Sequence, residues 1–278
     1  TMLKIKSGAS QVLKTITEHG GRAYLVGGCV RDSLLGIEPQ EWDITTSARP
    51  DKIMAWFEKV VPTGLDYGTV TVLLPDGQYE VTTFRSDENY FDGRHPGNVK
   101  FTDDIHQDLS RRDFTVNALA YDPERDELID DFKGWEDLKN KIIRAVGSPI
   151  ERFSEDGLRP IRACRFAAKL EFAIEPATFA AIAKTLETVK KIAPERIHDE
   201  LVKMLAAPRP SVGIELLRKA GLLKIILPEL EAGLGVEQPP QYHKFDVYWH
   251  NLYACDAAPQ ADLILRLAAL LHDIAKPA

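Results

Sequence analysis

The sequence predicts an α+β protein in which a mixed-sheet domain comes first and an all-α region follows. Two observations carry this. As far as about Val146, apolar runs of strand length alternate with helical stretches, and beyond it helical patterning continues almost without a break. The punctuation agrees, with prolines at or near the helical starts and glycines after the ends. The chain has 278 residues, 44% hydrophobic and 28% charged, enough to bury cores for two or three domains. The expected divisions are residues 1–145, 146–210 and 211–278.

Taken in order, Gln11 to Glu18 reads as a leading helix stopped by Gly20 and Gly21. Ala23 to Val26 is a short buried strand, Gly27 and Gly28 a sharp turn, and Val30 to Leu35 a helix. Asp51 to Lys59 reads as a helix with Ile53, Trp56 and Phe57 on its inner face. Gly68 to Leu74 and Gln78 to Phe84 form a hairpin through Pro75, Asp76 and Gly77. Ser86 to Gly97 is polar, glycine-bearing and without clear period, so a loop is expected. Ile105 to Ala120 carries a helical pattern, Glu127 to Phe132 reads as a strand or turn, and Trp135 to Asn140 as a short helix. Helices are then expected over Ile150 to Leu170, Pro176 to Val189, Pro194 to Ala206, Pro210 to Ala220 and Leu263 to Ile274.

Composition narrows the function classes. A net charge of −7 argues against a general nucleic-acid coat protein, although a local arginine stripe can still bind RNA. The sequence has no apolar run of membrane-spanning length and no signal-type leader, so no membrane and a cytoplasmic location are expected. Cys29, Cys164 and Cys255 are widely spaced and outside any CxxC pair, which suggests neither a zinc knuckle nor a disulfide framework.

Chemistry concentrates between Leu25 and Ser47. A glycine pair ahead of a helix can cradle phosphate oxygens, and Arg31 can add a charge-assisted contact. Glu41 and Asp43 flank Trp42, and in an extended segment two residues apart means one face. Two hard oxygen ligands beside a phosphate cradle describe a Mg²⁺-dependent phosphoryl or nucleotidyl transfer site. Glu80 either completes that site or pairs with Arg85 or Arg31. Arg111, Arg112, Asp113 and Asn117 offer two guanidiniums, a carboxylate and an amide within two helical turns; Arg112 can hold triphosphate or ribose oxygens, but this motif taken alone reads first as a surface salt-bridge cluster. Asp156, Arg159 and Arg162, with Arg165 beyond, form a polar wall that can read the hydrogen-bonding edge of a base and meet RNA phosphates.

Together LVGGCVRD, EWDITTSA, YEVTTFR, DLSRRDFTVNALA, EDGLRPIRACRFAAKL and APERIHDEL resemble the bacterial class II tRNA nucleotidyltransferases (CCA-adding enzymes) and their poly(A) polymerase relatives, in order and spacing, over roughly residues 20 to 205. The resemblance implies a polymerase-β-like nucleotidyltransferase head followed by a helical neck and body. It implies that Glu41 and Asp43 ligate catalytic Mg²⁺, that Gly28 and Arg31 contact the triphosphate, and that Arg112 contacts the nucleotide. Asp156 and Arg159 would pair with the base of incoming CTP or ATP, supported by Arg162 and Arg165, and the loop around Asp92 and Arg94 would switch between the two. The implied reaction is attack of a tRNA 3′-hydroxyl on the α-phosphorus, with pyrophosphate released. A-adding, CC-adding and poly(A) relatives share these motifs. Glu41 stands where the family usually has aspartate, which leaves an impaired tRNA-binding member open, because Mg²⁺ tolerates little change in ligand geometry. Pro160 lacks an N–H, so a kink or helix start is expected there.

The final stretch has a second resemblance. YHKFDVYWHN and LLHDIAKPA look like the opening of an HD phosphohydrolase domain, which implies a divalent metal on His250, His272 and Asp273. The aspartate that closes that pattern would lie beyond Ala278, so a shortened or vestigial element is expected.

Overall fold

The computed structural model describes residues 3–90, 96–239, 241 and 244–277, with side chains for all of these except 87–90 and 96–98. Asp92 and Arg94 lie outside the described residues. The chain forms two compact units, one reaching to Asn140 and including 144–147, the other made of 141–143 and the residues from Ser148 onward.

The first unit runs α1 (Ser7–Glu18), β1 (Ala23–Val26), α2 (Gly28–Leu34), β2 (Asp43–Thr46), α3 (Pro50–Trp56), β3 (Val60–Gly64), β4 (Thr69–Leu74), β5 (Gly77–Thr83), β6 (Arg85–Tyr90), β7 (Pro96–Phe101), α4 (Ile105–Ser110), β8 (Ala120–Asp122), β9 (Glu127–Ile129) and α5 (Gly134–Asn140). Among the described residues, seven strands form one mixed sheet in the order β3-β4-β5-β2-β1-β8-β9. Only β2 and β5 run parallel in it; the other neighbours are antiparallel. Val26, Phe84, Ile105, Leu109 and Ala120 pack one face of the sheet against α4. The β4–β5 hairpin pairs as its alternation predicts, and the Asp76 carboxylate at its turn accepts the Gly8 N–H at 2.8 Å, fastening the start of α1.

Three expectations for this unit need correction. Ser86 to Gly97 is not wholly loop, because β6 and β7 pair antiparallel from Arg85↔Phe101 to Tyr90↔Pro96. Backbone pairing there needs no apolar alternation, so the pattern did not announce it. The helix expected over Ile105 to Ala120 stops at Ser110; a short 3₁₀ turn, Thr115–Asn117, follows, and the chain then enters β8. Phe114, Val116, Leu119 and Ala120 are all buried, and this dense apolar run mimicked a helical stripe. The helix expected to Lys59 ends at Trp56, with Ile53 fully buried and Trp56 and Phe57 half-buried.

The second unit contains β10 (Ile142–Ile143), α6 (Pro149–Glu155), α7 (Leu158–Leu170), β11 (Ala173–Ile174), α8 (Pro176–Ala183), α9 (Leu186–Val189), α10 (Pro194–Leu205), α11 (Pro210–Lys219), α12 (Leu223–Ile226), α13 (Pro228–Glu231), α14 (Val247–Ala257) and α15 (Leu263–Leu271). The long helix expected from Ile150 to Leu170 is broken, since Asp156 is extended (φ −141°, ψ 111°) and α7 begins afresh at Leu158. Pro160 thus sits in a first turn, where its missing N–H costs nothing. Gly157 lets the chain at Thr188 pass close to the break, since a Cβ there would lie 2.4 Å from the Thr188 carbonyl oxygen. The predicted helix over Pro176 to Val189 is likewise two helices, α8 and α9. α7 packs against α10 and α11, where Gly213 brings the backbone close to Met204 and Ala168.

Candidate active site

The parallel pairing of β2 with β5 sets Asp43 directly against Glu80, and parallel neighbours in register project to the same side. Trp42, just ahead of β2, is turned into the core at 6% exposure, while Glu41 before it is exposed. Burial, and next the Glu80 charge, push the Asp43 carboxyl up to about 6; Arg112 pulls the other way and Glu41 adds to the rise. Glu80 is raised by burial and by Glu41, against the opposing charges of Arg85 and Arg112. The charges of Glu41 and Glu80 therefore both act on Asp43, and that of Glu41 on Glu80. Oxygen donors that repel in this way fit a hard divalent cation such as Mg²⁺, which would relieve the repulsion. Glu80 is thus set beside Asp43 by the register while also feeling the Arg85 charge; Arg85 donates to the Tyr67 carbonyl at 2.7 Å, and Arg31 to Asn117.

The glycine turn lies at the end of β1, next to β2. Gly27 has φ +73°, which side chains rarely tolerate, and a Cβ there would lie 3.2 Å from Arg112 Nη1. Its N–H donates to the Leu119 carbonyl at 2.9 Å, so the turn is tied to the segment leading into β8. Arg31 is 3% exposed: Nε donates to Asp32 at 2.7 Å and Nη1 to the Asn117 side-chain oxygen at 2.6 Å. Asn117 in turn donates to Asp113 at 3.2 Å, and the same Asp113 oxygen accepts the Phe114 N–H at 2.8 Å. Asp113 and Asn117 do meet, but through a turn rather than a helix face, and they form a relay that aims Arg31.

One residue with a place in this site was not singled out from sequence. Asp108, on α4 and fully buried, accepts from Arg111, Arg112, Thr45 and the Arg85 N–H. Its spacing of three and four residues from the arginines was the available signal.

In the second unit, Asp156 accepts two bonds from Arg196, at 3.3 and 2.9 Å, and the Leu158 N–H at 3.0 Å. Arg159 donates to Glu155 at 2.6 Å and to the Arg152 carbonyl at 3.2 Å. Asp156 and Arg159 are thus one turn apart at the start of α7, each held by neighbours. Arg165, expected as a supporting arginine beyond the wall, is turned inward. It is 6% exposed, pairs with the buried Glu200 of α10, and lies 4.0 Å over the Phe166 ring. Arg159 is nearly as enclosed at 8% exposure, and Arg162 is the most open of the three, 3.6 Å from Glu200 with its side chain 29% exposed.

His250 on α14 meets His272 and Asp273 just past α15. The two Nε2 atoms are 3.1 Å apart, and Asp273 Oδ2 lies 3.6 Å from His250 and 3.3 Å from His272. Nitrogens sharing one metal at bonds of about 2.1 Å would stand roughly 3.0–3.4 Å apart. Lys276 also reaches Asp273, at 2.7 Å.

Residues 23–144 match the family described as the poly A polymerase head domain, and residues 171–234 that described as the probable RNA and SrmB-binding site of polymerase A. A CCA-adding enzyme of Ligilactobacillus salivarius is 49% identical over 207 residues, 74% of this chain and 51% of that protein. The crystal structure of the Bacillus stearothermophilus CCA-adding enzyme in complex with CTP superposes with a TM-score of 0.75 at 34% identity, over 90% of this chain and 62% of that one. A tRNA nucleotidyltransferase complexed with a primer tRNA and an incoming ATP analog gives a TM-score of 0.69 at 29% identity, over 94% of this chain and 75% of that one. The chain spans about half the length of the curated relatives it matches. Among the described residues, no helix is long and apolar enough to cross a membrane.

Proposed function

The chain belongs to the poly(A) polymerase and tRNA nucleotidyltransferase family that includes the CCA-adding enzymes, and from this premise we propose that it adds CCA to the 3′ end of tRNA from CTP and ATP. The observation that carries the reading is Asp43 in register with Glu80, with Glu41 and the Gly27–Gly28 turn beside them. Mg²⁺ held by Glu41 and Asp43 would supply Lewis-acid activation of the tRNA hydroxyl and charge neutralisation at the triphosphate. Glu80 adds negative charge that keeps the site selective for a cation. Arg31, aimed by Asn117, and Arg112, beside Gly27, bind the triphosphate and keep its reacting end against the carboxylates. Asp156 accepts from the exocyclic amine that cytosine and adenine share, and Arg159 donates to the adjacent ring nitrogen. One acceptor–donor pair therefore serves both nucleotides and disfavours guanine and uracil.

A primer-extension assay on tRNA ending before CCA, with CTP alone, ATP alone and both, tests this. Stepwise addition of two cytidines and one adenosine is expected, and Asp43→Ala should abolish it while retaining the fold. Addition of A alone, CC alone or a long A tail would assign the chain to one of the specialised relatives. Binding of tRNA without addition at any Mg²⁺ or Mn²⁺ concentration would make it an RNA-binding member.

The spacing of the imidazole nitrogens supports a second, separate metal site on His250, His272 and Asp273. Mn²⁺ or Zn²⁺ titration of the chain and of His272→Ala by calorimetry tests it, with loss of one binding event expected in the variant.

A further inference from the structure

We propose that Asp108 is a positioning residue for nucleotide binding, acting through Arg112, an inference that rests on the nucleotidyl-transfer reading above. Asp108 is fully buried, and both carboxylate oxygens are engaged. One accepts the Arg85 N–H at 3.3 Å and Arg111 Nε at 3.2 Å. The other accepts the Thr45 hydroxyl and Arg112 Nη2, both at 3.2 Å. Burial alone would raise its pKa, but the two guanidiniums and the N–H outweigh burial and hold it below the usual carboxylate range. It is therefore an anion across the working pH range.

The partners are not arbitrary points on the fold. Thr45 lies two residues beyond Asp43 on β2, and Arg85 opens β6 directly after the strand that carries Glu80. Arg112 is the guanidinium whose charge reaches both Asp43 and Glu80, and its Nη1 stands against the Gly27 turn. Its Nη2 is held by Asp108, while its Nε is buried with no hydrogen-bond partner among the described residues. Tethered at its own backbone and at Nη2, the guanidinium is held in direction, which leaves Nη1 facing the turn where the triphosphate would lie. Asp108 thus converts a flexible arginine into an oriented donor and references it to the two strands bearing the carboxylates. Such pre-ordering should appear mainly as nucleotide affinity.

Asp108→Asn keeps the shape but replaces one acceptor oxygen with a donor that faces Thr45 or an arginine. The test measures equilibrium CTP binding and the kcat and KM of incorporation for wild type, Asp108→Asn, Arg112→Gln and the double variant, using the full chain. A rise in Kd and KM of about tenfold or more is expected in Asp108→Asn, with a smaller change in kcat. In the Arg112→Gln background the same substitution should add less than twofold, because the group it acts through is gone. A purely structural role would give losses that multiply in the double variant, and that result overturns the proposal. So does a folded Asp108→Asn that binds CTP as wild type does. If Asp108→Asn does not fold, Thr45→Val, which removes one neutral donor, should raise Kd a few-fold in the wild-type background and not in Arg112→Gln; no change would overturn the proposal. Wild type that neither binds nor incorporates CTP sinks the nucleotidyl-transfer reading, and this assignment with it, whereas active wild type with an indifferent Asp108→Asn sinks this assignment alone.

Discussion

Asp43 and Glu80 face each other across the one parallel strand pair in the sheet, and their mutual repulsion, added to burial, lifts Asp43 to about 6. The folded-state pKa is above the unfolded value, so the folded chain binds more protons between about pH 4 and pH 6 and loses stability as pH rises through that window. In chelator, Asp43→Asn should therefore raise Tm at pH 7 to 8, and the gain should shrink towards zero near pH 4. Thermal melts at a series of pH values check this. A variant less stable than wild type at pH 8 would show that the carboxylates do not strain each other.

Glu41 lies on exposed backbone ahead of β2 rather than within the ladder. Backbone outside a ladder can shift to accommodate an extra methylene without breaking strand pairing. Glu41→Asp should therefore change incorporation by no more than a few-fold, whereas Glu41→Gln, which removes a charged ligand, should lower it roughly 10²-fold or more. Steady-state rates over a Mg²⁺ titration separate the two. Equal losses in both variants would mean that reach, and not charge, governs this position.

Legibility from sequence followed the range of the forces involved. The Gly27 turn is dictated within a few residues by backbone conformation, whereas the period of two does not extend to Glu41, which lies ahead of β2; its charge still bears on Asp43. Glu80 was recognisable as a carboxylate on a strand, but only the β2–β5 register gives it Asp43 as a neighbour. Asp108 was passed over because a charged residue reads as solvated unless its partner is known, and Thr45 lies 63 residues away; the inward pairing of Arg165 likewise depends on Glu200, 35 residues on. The β6–β7 pairing escaped because its stabilisation is backbone hydrogen bonding in a polar segment. The break at Asp156 was half visible, through Pro160, but the close passage of Thr188 that requires Gly157 was not.

The bidentate grip of Arg196 fixes the plane of the Asp156 carboxylate. If Asp156 and Arg159 read the base edge, then Asp156→Ala should lose selectivity more than rate. Incorporation of UTP and GTP relative to CTP and ATP should rise about tenfold or more, the scale of a lost discriminating hydrogen-bond pair. Competition assays with single labelled nucleotides measure this ratio. An unchanged ratio with a uniform fall in rate would place base reading elsewhere.

Arg165 ties α7 to α10 through Glu200, with side-chain exposures of 7% and 3%. Arg162 at 3.6 Å and Lys203 at 3.9 Å also lie near Glu200, so its charge would not be wholly uncompensated if Arg165 were lost. Removing one partner of a buried pair still leaves a desolvated charge, and Arg165→Met should cost about 3 kcal/mol. Glu200→Met alone leaves the buried Arg165 guanidinium over Phe166 and should cost a similar amount. The double variant replaces the pair by apolar groups and should recover most of the loss, because the pair's attraction is largely spent on its own desolvation. Urea unfolding of the four chains gives the coupling. Since Arg165 is enclosed, tRNA affinity should be unchanged in any variant that folds, and a salt-dependent loss of tRNA binding in Arg165→Met would return this residue to the RNA-binding surface.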